Sequence, residues 1–266
     1  MAENDPTTEK FVLTKGLDTA FLSLYRVGVF IRRFFRELVR PPFEFSEIIR
    51  QCFEVGYKSL MLICMTAFIT GLVFTKQSRP SLSEFGATSW LPSLVAIAII
   101  KALAPLVTAL ICAGKVGSNI GAELGSMKVT EQIEAMEVSA TNPFKFLVVS
   151  RIVATTIMIP VLMFFFTGIG LYGSYIDVHI NEATSFTLFF EAAFEKIGFA
   201  DIYVSIIKAV VFGFTIGTVG CVRGYAATQG TMGVGRAANS AVVVSMFLIF
   251  IEEVIIVQIA NAIRAV

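Results

Sequence analysis

Five stretches of about twenty mainly apolar residues constrain this chain more than any other feature. The hydrocarbon core of a bilayer takes about 20 such residues to cross as a helix. Inside it every backbone N–H and C=O needs an internal partner, so apolar runs of this length become helices. The five fall at roughly 57–75, 91–114, 147–173, 202–222 and 237–262. Composition agrees, since 15% of the 266 residues are charged and 56% are apolar, where a soluble chain carries roughly 25% charged residues. So rich an apolar content excludes a disordered chain. A net charge of +1, with no basic patch among aromatics, argues against a nucleic-acid partner. The expected fold is an all-α integral membrane protein. Pro105 and Pro160 lie inside spans, which is tolerated where neighbouring groups satisfy the carbonyls they free.

Lysine and arginine set the expected orientation. Nine lie in the arm up to Lys58. The second-to-third connection adds Lys115, Lys128, Lys145 and Arg151, and the fourth-to-fifth adds Arg223 and Arg236. Only Lys76, Arg79, Lys196 and Arg264 fall on the opposite side. Basic loops stay inside, so the N-terminus is expected in the cytoplasm and the C-terminus outside. The opening residues MAENDPTTEK are polar, so no signal peptide is expected.

In the arm, Leu17, Phe21, Leu24, Gly28, Ile31, Phe35 and Leu38 recur at helical spacing, with Arg26, Arg33, Arg36 and Arg40 along another stripe. An apolar face beside a basic face predicts a helix in the membrane interface, stopped by Pro41 and Pro42. Docking on a partner protein is the alternative. A second amphipathic stretch, Phe45 to Phe53, leads into the first span. The expected division is a cytoplasmic and interfacial segment, 1–54, and a membrane domain, 55–266.

The second and third spans are joined by GKVGSNIGAELGSMKVTEQIEAMEVSATNP, residues 114–143. Gly117, Gly121 and Gly125 form a row that permits close helix approach. Lys128, Glu131, Glu134 and Glu137 mark a charged face, and Asn142-Pro143 is a stop signal. A short charged helix here suits docking on a cytoplasmic partner, or a plain solvated connection.

The run KALAPLVTALICAGKVGSNIGAELGSMKVTEQIEAMEVSATNP, from Lys101 to Pro143, resembles the signature of the MlaE (YrbE) permease family. Pro105, Gly114, Gly117, Glu123, Gly125, Met127, Thr130, Glu131, Gln132, Ile133 and Pro143 match its pattern. Phe146, Arg151 and Ala154 continue it, as does GVGRAANSAVVVS from Gly233 to Ser245. The resemblance implies the membrane subunit of an ABC-type phospholipid transporter in a bacterial inner membrane. It implies a homodimer with two cytoplasmic ATPase subunits, an MCE-domain protein outside, and lipid between the protomers. ATP would be used through the ATPase, with no cofactor bound directly. The resemblance assigns Glu123 to Glu137 to a coupling helix, so Glu123, Lys128, Glu131 and Glu134 are candidate ATPase contacts. One departure stands out: the family's R-E-L-G-P is here Lys101-Ala102-Leu103-Ala104-Pro105, without the acid.

Ionisable groups inside spans are costly and are functional candidates. Lys101, Lys208, Glu252 and Glu253 are such groups. At about 1.5 Å per residue all four lie within about 6 Å in depth. Lys101 or Lys208 is therefore expected to pair with Glu252 or Glu253, beside a lipid cavity that Pro105 also lines. Neighbouring glutamates point about 100° apart, so only one faces a given partner. A purely structural ion pair is the alternative.

Other chemistries find little footing. Cys52, Cys64, Cys112 and Cys221 show no metal-ligand spacing, and His179 is the single histidine, expected in an outer loop. Gly168, Gly170 and Gly173 fit G-x-G-x-x-G but end an apolar span rather than follow a strand. No P-loop motif occurs, so ATP hydrolysis would fall to a partner. An ATP-independent channel or secondary carrier, or a lipid-modifying enzyme, remain the rival classes.

Overall fold

The computed structural model describes residue 22 and residues 25–41, 43–228 and 230–264. The chain divides into two compact units between Phe43 and Glu44. The first holds a helix, α1, over 25–39, which gives way to a bend at Arg40 and Pro41. Arg26, Arg33 and Arg36 are exposed on it, as are Tyr25, Val29 and Phe35, and Arg40 is exposed in the bend. Leu17, Phe21 and Leu24 of the expected apolar face lie outside the described residues.

The second unit holds five long helices apolar enough to cross a membrane. They are α2 (Phe45–Glu84), α3 (Thr88–Val129), α5 (Phe144–Glu182), α7 (Phe199–Tyr225) and α8 (Gly230–Arg264). Each expected span lies within one of them. Two shorter helices intervene: α4 (Gln132–Val138) after α3, and α6 (Phe186–Phe194) before α7. Phe45 to Phe53 is no separate element. No helix breaker separates it from the span, so α2 is continuous and the division expected after residue 54 falls inside it. His179 also sits on a helix, near the end of α5, with Nδ1 2.8 Å from the Thr184 carbonyl oxygen.

The packing order follows from small residues. α2 lies along α5, α5 along α7, and α7 against both α3 and α8. Ile63 and Ala67 of α2, Ile152, Ile159 and Phe166 of α5, and Phe212 and Ile216 of α7 are fully buried between them. The glycine row of α3 meets α8: a side-chain carbon at Gly121 would stand 3.2 Å from the Ala237 carbonyl oxygen. Gly173, a member of the G-x-G-x-x-G run, and Gly71 let α5 and α2 approach each other. A carbon at Gly173 would lie 2.5 Å from the Phe68 carbonyl oxygen, and one at Gly71 would clash with the Gly170 carbonyl. Gly71→Ala is thus expected to force α2 and α5 apart and cost about 1–3 kcal/mol. Thermal unfolding in detergent would read this, and an unchanged midpoint would contradict it.

α8 is the least covered span. Val243, Phe247, Phe250, Val254, Ile255 and Ile259 all face outward from the bundle. At one end, Arg79 of α2 binds Asp177 of α5 at 2.6 Å and tethers the two helices.

Candidate functional site

The buried charges meet where α3 loses regular helix geometry. Over Ile99–Leu103 the backbone widens into a π-helical turn, and the Ala104 N–H reaches back to the Ile99 carbonyl. The carbonyl of Ile100 thereby loses its ordinary donor. The carbonyl of Lys101 loses its own for a different reason, because residue 105 is proline and has no N–H. Two bare carbonyls in hydrocarbon would be costly. Both are met from α7. The Ser205 hydroxyl lies 2.8 Å from the Ile100 oxygen and 2.9 Å from the Asp201 carbonyl oxygen, its single proton shared between them, and the Lys208 ammonium donates to the Lys101 oxygen at 3.0 Å.

The same lysine reaches α8, donating to Glu253 Oε1 at 2.5 Å. Lys208 is 2% exposed, so this pair is shielded from water. Glu252, one residue earlier, turns away and accepts from the Thr215 hydroxyl at 2.6 Å. The two glutamates thus divide between two partners, as their angular separation requires. Lys101 pairs with neither. Its ammonium binds Asp201 Oδ1 at 2.9 Å, and the other oxygen of Asp201 accepts the Gly198 N–H at 3.1 Å. Asp201 therefore caps the start of α7 while holding a lysine of α3. The carboxylate beside Lys101 comes from α7, and Ala102 is exposed beside it.

A cavity of about 230 Å³ opens on this cluster, lined among others by Lys101, Ala102, Asp201, Lys208 and Glu253. Pro105 and Glu252 do not line it. Pro105 is buried and shapes the site through the carbonyl that it frees. Sequence reasoning missed Asp201, Ser205 and Thr215. Asp201 sits at the polar border of its span, outside the apolar window. The hydroxyls look like any others until α3 needs donors.

The four candidate residues of the connecting segment divide between two ion pairs and one exposed side chain. α3 continues through Glu123 and Lys128 to Val129, and the break comes at Glu131, whose φ of 58° is left-handed. Lys128 hydrogen-bonds Glu134 across that break. This bond holds the Glu134 carboxyl below its ordinary range. Glu123 turns sideways to Arg151 of α5, at 2.8 Å. Glu131 and Glu137 stay exposed, while Ile133 is buried and anchors α4.

Five spans, three of which line a charged cavity, with a short polar helix after the second, define a membrane-embedded subunit of the transport class. The chain belongs to the MlaE permease family: the family model described as Permease MlaE matches residues 48–259. A protein of Rickettsia typhi named "Probable ABC transporter permease protein" is 36% identical over 221 residues, covering 83% of this chain and 85% of its own. A Synechocystis protein of the same name is 34% identical over 199 residues, 75% of this chain and 76% of its own. The chloroplastic protein TRIGALACTOSYLDIACYLGLYCEROL 1 of Arabidopsis thaliana is 28% identical over 219 residues, 82% of this chain and 63% of its own. The chain is a multi-pass ABC transporter permease subunit. It works with a separate ATPase and is not itself an enzyme.

Proposed function

We propose that this permease moves phospholipid between a bacterial inner membrane and an MCE-domain protein on its outer side. It acts as a homodimer, driven by ATP that a cytoplasmic ATPase hydrolyses, and binds no nucleotide or other cofactor itself. The N-terminus faces the cytoplasm, consistent with the distribution of Lys and Arg. The observation that carries the reading is the charged cavity among apolar spans. A phospholipid has a charged headgroup and apolar chains, and needs both environments at once. Lys101, with its side chain 34% exposed, has donors left beyond Asp201 for a phosphate oxygen. The relative from Arabidopsis, whose printed name is that of a glycerolipid, supports a lipid substrate. The apolar face of α8 suits a second copy across the cavity.

In this reading α4 and the end of α3 meet the ATPase. The substitutions that test it should spare the backbone. Asparagine tolerates the left-handed conformation of Glu131, so Glu131→Asn combined with Glu134→Gln removes charge without new strain. A P-loop ATPase is expected to co-purify with the native chain, and the double variant should lower its recovery roughly tenfold, about 0.5–1 kcal/mol for each exposed contact. Sustained transport by the isolated chain without ATP would sink the proposal in favour of a channel or carrier.

A further inference from the structure

The charged side chains lining the cavity are two lysines and two carboxylates, and each lysine is matched to its own acid: Lys101 to Asp201, Lys208 to Glu253. Their charges cancel. Beside Glu253 in the sequence stands another acid, Glu252, held by Thr215. Despite its lysines, the pocket therefore presents no net positive charge to an incoming ligand. An anion drawn out of water into such a place keeps an uncompensated charge, which is strongly unfavourable away from bulk solvent. A headgroup carrying its own cation does not.

A second observation points the same way. Glu253 Oε2 is buried with no hydrogen-bond partner. A carboxylate oxygen accepts only, and so does an ionised phosphate, so phosphate alone cannot satisfy it. An amine can. The cluster thus offers spare donors at Lys101 and a spare acceptor at Glu253, which is complementary to phosphate and ammonium on one molecule.

We propose that this cavity selects phospholipids with a zwitterionic, amine-bearing headgroup over those with a net negative headgroup. The proposal rests on the lipid-transport reading and narrows its substrate class.

The test uses the full chain, purified with its ATPase after equilibration in bilayers of equal phosphatidylethanolamine and phosphatidylglycerol, with retained lipids counted by mass spectrometry. Phosphatidylethanolamine should be enriched roughly tenfold, the scale of one unmatched charge in a partly solvated site. Asp201→Asn and Glu253→Gln each make the pocket more positive and should erase or reverse the enrichment. Lys101→Gln makes it more negative and should sharpen it, so the sign of the change separates charge selection from general damage. ATPase co-purification checks that each variant is folded, and any one folded variant suffices. Lipid retained in the bilayer's own proportions, unmoved by the substitutions, would overturn the selectivity and leave lipid transport standing. No retained lipid at all would remove the lipid-transport reading itself.

Discussion

Replacing Lys208 by methionine is expected to cost roughly 3–5 kcal/mol of stability, the range for breaking a buried pair by removing one partner. Its ammonium serves two acceptors in two helices: the Glu253 carboxylate of α8 and the Lys101 carbonyl of α3. The variant leaves a shielded carboxylate without its cation and a carbonyl without a donor. The double variant Lys208→Met with Glu253→Leu should recover only the part due to the stranded carboxylate, because removing both charges is often close to neutral while the Lys101 carbonyl still lacks its donor. Lipid transport should stay impaired in both. Unfolding in detergent alongside ATP-driven transport would separate these outcomes. If the single variant unfolds within about 1 kcal/mol of the native chain, the pair carries no shared stability.

The second large effect is expected where α5 meets α3. Arg151 is 1% exposed, donates to the Leu147 carbonyl at 2.8 Å and binds Glu123 at 2.8 Å. Glu123→Ala strands that guanidinium and should cost about 3 kcal/mol. This is the low end of the range for an unmatched buried charge, because the Glu123 side chain is 43% exposed and water can partly replace it. Arg151→Met removes the stranded charge and keeps most of the volume, so it should cost less. The order of the two midpoints is the test. Equal effects would mean that Glu123 contributes little beyond its own contact surface. Glu123 would then be free to meet the ATPase, as the family resemblance has it.

The spans were legible because hydropathy reports apolar surroundings, whether lipid or protein, and no soluble alternative accommodates five such runs. Their lengths were less so. The amphipathic stretch and the first span merge because nothing between Phe45 and Leu60 interrupts helix geometry. The helix over Phe186–Phe194 is apolar but too short to register as a span. At the site, depth arithmetic brought Lys208 and Glu253 into reach, since it needs only rise per residue. It could not choose between the glutamates, which depends on how α8 is rotated. It could not find Asp201 either, since a carboxylate at a span border looks solvated until a neighbouring helix supplies a lysine. The role of Pro105 depended on knowing which side chains of α7 stand opposite the carbonyl that it frees.

That freed carbonyl limits how the protein can move. Sliding or rotating α3 against α7 would pull the oxygens of Ile100 and Lys101 away from Ser205 and Lys208 and leave both bare in hydrocarbon, at several kcal/mol each. We expect these two helices to travel together during turnover, so that cross-linking them at this level should leave transport intact.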